Sequence, residues 1–166
     1  SVGRFVPEKG FHDLIESFSK IKQGKIKLVI AGEADHETNY SRKLKKTAHE
    51  KGCVLTGFVQ KETLAQLYSH ARLFILPSYH EGLPFSLLEA LSFGLDVLVS
   101  DIPAHRGIGL DSASYFKAGD VGELIEKTEY KLEHSDTGVA RQILLSEYNW
   151  DVMAAKTVAL YTLLTV

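Results

Sequence analysis

The 166-residue chain has a single cysteine, Cys53, so no disulfide within it can form. Set in the short apolar run Cys53-Val54-Leu55, that residue reads as a small buried side chain and not as a nucleophile, and a reducing, cytoplasmic location is expected. An excess of charge is missing too. With 19 Lys+Arg against 21 Asp+Glu the formal net charge is -2, which gives no general electrostatic case for nucleic acid. Any bound anion must therefore be held by local groups. No apolar run approaches the roughly 20 residues that span a bilayer, and there is no signal-peptide pattern, although the parent protein remains free to touch a membrane peripherally. Repeats, low-complexity stretches and linkers are absent as well. The chain reads as one domain, 1–166, whose 45% hydrophobic composition suffices for a core.

Several chemical signatures are also missing. The seven histidines are dispersed without metal-ligand spacing, and only His80 falls beside a candidate site. Gly107-Ile108-Gly109 lacks the third glycine and the strand-to-helix setting of a dinucleotide fingerprint, and neither a Gly-x-Ser-x-Gly elbow nor a Walker loop occurs. The basic run Arg42-Lys43-Leu44-Lys45-Lys46 reads as a solvated helix face around one buried leucine.

What is present is an alternation of strands and helices. Ile26 to Ala31, Leu73 to Leu76 and Val97 to Val99 are continuous apolar runs of the kind buried on both faces of a parallel sheet. Between them, helices are predicted over Phe11 to Ile21 with Gly24 as the stop, over Asn39 to Lys51, and over Lys61 to His70. A loop after Asp101, a short strand at Tyr115-Phe116 and two or three helices ending in Trp150 to Leu164 complete the chain; Trp150 is expected to pack with Tyr148, Val152 and Leu160. The fold class is α/β, a Rossmann-like open parallel sheet with right-handed crossovers and helices on both faces. Ser1-Val2-Gly3 resembles only the end of a first strand, so an upstream segment is expected.

The most informative segment is Pro77-Ser78-Tyr79-His80-Glu81-Gly82-Leu83-Pro84-Phe85-Ser86-Leu87-Leu88-Glu89-Ala90. A buried strand stops at a proline, a polar loop carries one glutamate, and a second follows inside a helix. The first turn of such a helix presents unpaired N–H groups and the positive dipole end, which suits a phosphate. Gly82 would let the backbone approach a ligand, and Pro84 suits the first helical position. Glu89 would lie roughly 6 to 8 Å along the axis from the first turn, about the span from a phosphate to a ribose. Glu81 would then serve the opposite end of a diphosphate. Taken alone, these residues are an exposed loop acid and an ordinary helix-surface acid.

The turn Gly3-Arg4-Phe5-Val6-Pro7-Glu8-Lys9-Gly10 sits at the carboxyl edge of the sheet, where open α/β sheets bind ligands. Arg4 and Lys9 in isolation would be solvated surface. Opposite the Glu81 loop they could face one anion, the guanidinium as a planar fork and the ammonium as a point charge. Two carboxylates would also suit a glycosidase, but an anion-binding helix start has no part in simple hydrolysis, so transfer is preferred.

Gly3-Arg4 with Lys9-Gly10, then Pro77-Ser78, then Glu81 and Glu89 with seven residues between, resemble the carboxy-terminal domain of the GT-B retaining glycosyltransferases of family 4, the glycosyl transferases group 1. The resemblance runs from Val2 to the Trp150-Asp151 region. It implies a nucleotide-sugar-binding domain at 1–166 whose acceptor domain lies upstream, a sugar or lipid-linked acceptor, and a role in polysaccharide or glycoconjugate synthesis. No cofactor and no metal are expected, the donor being a nucleotide diphosphate sugar. It further implies that Gly3, Arg4 and Lys9 meet the diphosphate, that Glu81 contacts donor-sugar hydroxyls, and that Gly82, Leu83, Pro84, Phe85 and Ser86 hold the sugar and distal phosphate. Glu89 would bind the ribose, a base pocket would lie near Gly57-Phe58-Val59-Gln60, and Gly32-Glu33 would approach the nucleotide. The catalytic set is Glu81, Arg4 and Lys9. Two alternatives stay open: a noncatalytic nucleotide-sugar-binding module, and a GT-B-type sugar-nucleotide epimerase. Two positions depart from the family pattern. Asp96 in Gly94-Leu95-Asp96 stands where a proline is usual, with only a turn expected to change. Gly107 stands where an acidic residue is common, removing a polar contact near the donor pocket.

Overall fold

The computed structural model describes residues 1–21 and 26–134, with residues 154–155 and 158–159. The expected stop at Gly24 and the expected packing of Trp150, Tyr148, Val152 and Leu160 lie outside the described residues. Five strands are present among them: β1 (Val29–Ala31), β2 (Val54–Gly57), β3 (Phe74–Leu76), β4 (Val97–Ser100) and β5 (Tyr115–Phe116). The helices are α1 (Phe11–Phe18), α2 (Asn39–Glu50), α3 (Lys61–His70), α4 (Phe85–Ser92), α5 (Pro103–Arg106) and α6 (Val121–Glu133).

Local chemistry explains the boundaries. At the start of α2 the Thr38 hydroxyl accepts from the Ser41 N–H while the Ser41 hydroxyl accepts from the Thr38 N–H, a reciprocal capping box. Asp120 caps α6 through the Glu123 N–H. α1 begins after Gly10, whose φ of 64° is left-handed and whose missing Cβ would stand 2.1 Å from the Pro77 carbonyl oxygen. That close approach holds the Gly3–Gly10 turn against the end of β3.

The named strands pair in parallel, β1 with β2, and β3 with β4 with β5, and one isolated antiparallel bridge joins Gly32 to Gly57. Along β3, β4 and β5 successive side chains alternate between two cores, as the two-residue period requires. Ile75, Leu98 and Phe116 join α1, α2 and α6 through Phe11, Leu14, Ile15, Leu44 and Leu124. Phe74, Leu76, Val97, Val99 and Tyr115 join α3 and α4 through Tyr68, Leu87, Ala90 and Leu91. Helices thus cover both faces, and burying each of these large apolar side chains contributes about 1.5–3 kcal/mol.

The sequence expectations need five corrections. The first apolar run forms a strand only over Val29–Ala31, and α1 ends at Phe18 instead of Ile21. The sequence pattern does not distinguish β2 as a strand, because Val54 to Gly57 is short and half-exposed. The hydrogen-bonded sheet comes as two ladders among the described residues: Val2 makes one parallel bridge to Ala31 and packs on the core around Phe74 and Leu76 without pairing to β3. A cavity of about 640 Å³ adjoins this stretch between Ile26–Val29 and Leu73–Ile75. Finally, Asp96 alters more than a turn. It is 4% exposed, accepts from the Val97 N–H, and pairs with the 7% exposed Lys131 ammonium of α6 at 2.5 Å.

Candidate functional site

The carboxyl ends of the parallel strands, where an α/β sheet collects its ligands, carry the loops predicted to hold function. In the first loop a 3₁₀ turn at Pro7–Lys9 aims Lys9 at the segment after β3. The Lys9 ammonium donates to Glu81 Oε1 at 2.6 Å, with side-chain exposures of 18% and 8%. Ser78 donates to the same oxygen at 2.7 Å, so Oε2 has no protein partner among the described residues. A backbone bond from the Tyr79 N–H to the Glu8 carbonyl, 2.8 Å, ties the two loops together again.

Beneath this pair lies a buried polar chain. The Ser100 hydroxyl donates to the Ser78 carbonyl, and His105 Nδ1 lies 2.8 Å from the Ser100 carbonyl as its donor. Burial holds the His105 imidazole below its ordinary pKa, so the ring is neutral at pH 7. Apart from its place after β4, nothing in the sequence marks it.

α4 opens beside Glu81. Pro84 takes the cap position and not the first helical one, because helical bonding begins with Leu87 and Leu88 donating to the Pro84 carbonyl at 3.0 and 3.2 Å. No described residue accepts from the N–H groups of Gly82, Leu83 or Ser86. These donors point to an anion site at the positive end of the helix. Gly82 itself is not forced by backbone strain or crowding: a Cβ there would meet open space. Leu83 and Phe85 are exposed. Farther along, Glu89 is not a free surface acid, since its Oε2 accepts from the Tyr68 hydroxyl of α3 at 2.9 Å. Helical spacing over Lys61 to His70 reads Tyr68 as inward-facing, and its hydroxyl is the signal that such a reading overlooks.

Arg4 departs from the expectation that it shares one anion with Lys9. It is exposed and donates to Asp35 at 2.9 Å, whereas Lys9 is taken by Glu81. Arg4 instead borders a pocket of about 460 Å³ with Gly3, Gly32, Glu33, Phe58 and Val59. Gly32 makes that pocket possible: at φ 134° its missing Cβ would lie 2.0 Å from the Gly3 carbonyl oxygen, while its N–H donates to the Gly57 carbonyl at 3.0 Å. Lys45 reaches Glu33 at 2.6 Å, which holds that carboxyl below its usual range. Gly3, Arg4 and Val59 border this pocket, and Gly57 is held to it through Gly32. Lys9, whose stem lies near Gly3, adjoins them and leads to Glu81 and the segment Gly82, Leu83, Pro84, Phe85, Ser86. His80 is exposed next to Glu81, with no contact that assigns it to the site.

The description "Glycosyl transferases group 1" belongs to a family model that matches residues 1–141. The chain is 28% identical over 174 aligned residues to the glycosyltransferase MJ1607 of Methanocaldococcus jannaschii, covering 96% of this chain and 43% of that protein. It is 23% identical over 171 residues to the O-antigen chain mannosyltransferase B of Escherichia coli, covering 98% and 45%. Sucrose-phosphate synthase from Thermosynechococcus elongatus superposes with a TM-score of 0.84 at 23% identity over 99% of this chain and 45% of that one, which shows a shared fold. The chain spans less than half the length of the relatives it matches by sequence. With an α/β fold of the GT-B type and a family match over residues 1–141, the chain belongs to the glycosyl transferases group 1.

Proposed function

We propose that this chain is the donor-binding half of a retaining, family 4 glycosyltransferase, which moves a sugar from a nucleotide diphosphate sugar to a sugar or lipid-linked acceptor. The observation that carries this is the Lys9–Glu81 pair standing beside the unpartnered N–H groups at the start of α4. A diphosphate set there meets an ammonium and oriented backbone donors. Glu81 Oε2 stays open to accept from a donor-sugar hydroxyl. The pocket bounded by Arg4, Gly32, Phe58 and Val59 takes the nucleoside end, with Glu89 toward the ribose.

Breaking the bond between a sugar and a diphosphate builds positive charge on the anomeric carbon and negative charge on the leaving oxygens. Stabilisation must therefore be stronger in that state than in the bound donor. Lys9 and the α4 donors are fixed in place beforehand and need little reorganisation. Arg4 completes the set by leaving Asp35, an exchange between exposed groups that costs little. Positive charge from these groups is sufficient, so the proposal requires no metal. The acceptor side is assigned to a preceding domain, which would orient the attacking hydroxyl and exclude water. The mannosyltransferase relative from Escherichia coli acts in O-antigen chain synthesis by its name, and bacterial envelope polysaccharide assembly is the setting proposed here.

The test is product analysis with the longer polypeptide and a panel of nucleotide sugars. Transfer to an added acceptor with the anomeric configuration kept, and none by residues 1–166 alone, supports the proposal. Acceptor glycosylation by residues 1–166 alone, an inverted product, or release of an epimerised sugar without acceptor would contradict it.

A further inference from the structure

Tyr68 is nearly sealed in the core at 3% exposure, yet its hydroxyl reaches the site face of α4. Its ring is stacked on Phe93 at 5.4 Å between centroids and tilted against Phe74 at 5.8 Å, so the phenol has little freedom to turn. The hydroxyl lies 2.9 Å from Glu89 Oε2 and 3.3 Å from the Ser86 carbonyl. A phenol has one proton to give, and of these two acceptors the carboxylate is closer and charged. Burial, followed by the negative charge of Glu89, raises the phenol above its ordinary pKa and keeps that proton on the oxygen. Glu89 is otherwise an exposed side chain on a helix surface, free to sample several rotamers. Tied through Oε2, it presents Oε1 in a fixed direction, with no partner for that oxygen among the described residues.

We propose that Tyr68 is a positioning residue which, by holding Glu89 Oε2, fixes the carboxylate for a vicinal diol and so sets selectivity for ribo- over deoxyribonucleoside diphosphates. This rests on the assignment of Glu89 to the ribose made above. A carboxylate with free torsions could still accept from one hydroxyl. One held in a single orientation can accept from two neighbouring hydroxyls whose spacing is fixed by the sugar ring, and a ligand that lacks one of them gains less from the arrangement. Tyr68 itself touches no ligand in this arrangement.

The experiment is calorimetry on the chain and on Tyr68→Phe, which deletes only the hydroxyl, with UDP, GDP, ADP and CDP and then the 2′-deoxy counterpart of the tightest binder. Tyr68→Phe should lower ribonucleotide affinity by about 5- to 10-fold and change deoxynucleotide affinity less than about 2-fold, the range of one hydrogen bond. Equal losses for both sugars, or no loss for either, would overturn the inference, because a purely packing role does not distinguish them. Glu89→Gln separates the two levels. If that variant keeps the ribose preference, the ribose assignment of Glu89 fails; if it loses the preference while Tyr68→Phe keeps it, only the role of Tyr68 fails. A measurement without mutation guards against a Phe variant that folds poorly: in wild-type chain labelled at the tyrosine Cζ carbons, the Tyr68 signal should move on adding the ribonucleotide and stay within the linewidth on adding the deoxynucleotide. Equal movement with both would also overturn it.

Discussion

Replacing Lys9 by methionine should destabilise the chain through Glu81. The ammonium and the carboxylate stand 2.6 Å apart at exposures of 18% and 8%, and among the described residues Ser78 supplies the one other hydrogen bond to that carboxylate, at 2.7 Å. Methionine keeps most of the stem that lies near Gly3, so packing is largely preserved and the charge is what is lost. Removing one member of a fully buried pair costs about 3–5 kcal/mol, whereas an exposed pair is worth about 0–1. Lys9 retains some access to water, which places Lys9→Met between these limits at about 2 kcal/mol. In the Lys9→Met background, Glu81→Gln should then restore about 1 kcal/mol or more, because the stranded charge is gone. Urea unfolding followed by far-UV circular dichroism, on the two single variants and the double, gives the coupling directly. A Lys9→Met variant within about 0.5 kcal/mol of the parent, or a Glu81→Gln effect equal in both backgrounds, would refute this account of the pair.

Other perturbations bear on the frame that holds the site. Asp96→Asn should lose about 3 kcal/mol or more by leaving the Lys131 ammonium buried without its partner carboxylate, and adding Lys131→Met should recover much of it in the same urea assay. Gly10→Ala should unfold the 3–10 turn or the whole chain, since both the left-handed φ and the Pro77 carbonyl oppose a Cβ; a melting temperature within a few degrees of the parent would show that the turn can yield. Stability should fall as pH drops through 6.5 toward 5. The His105 imidazole, held by burial below its ordinary 6.5, binds its proton in the unfolded chain before it does in the folded one, so unfolding gains protons as pH falls. Urea midpoints across that range would detect the slope, and a flat profile would contradict it.

The division between what the sequence shows and what it hides follows the range of the interactions. α3 falls on Lys61–His70 as predicted, and β3 and β4 within a residue of their apolar runs, because periodicity and burial are local signals. β2 lacks such a signal: Val54 is exposed and Leu55 half-buried, so the strand exists through its pairing with β1. In the site, motif spacing places Lys9 and Glu81 opposite one another correctly. It does not reveal that Asp35 engages Arg4 or that Tyr68 holds Glu89, since each partner comes from a different loop or helix, nor that Ser78, three residues away in the same loop, shares Glu81. Asp96 is the sharpest case. A charged residue in place of a proline reads as a change of turn until α6, 35 residues later in the chain, brings Lys131 against it.

Calorimetric titration of the chain with nucleoside diphosphates, in the presence of chelator, tests the central claim most directly. Binding without added metal is predicted, weakened by about 1.5–3 kcal/mol in Arg4→Ala through loss of a charged hydrogen bond, and weakened in Glu89→Gln but nearly intact in Glu81→Gln. Binding that appears only when magnesium or manganese is supplied, or equal losses in Glu81→Gln and Glu89→Gln, would contradict it.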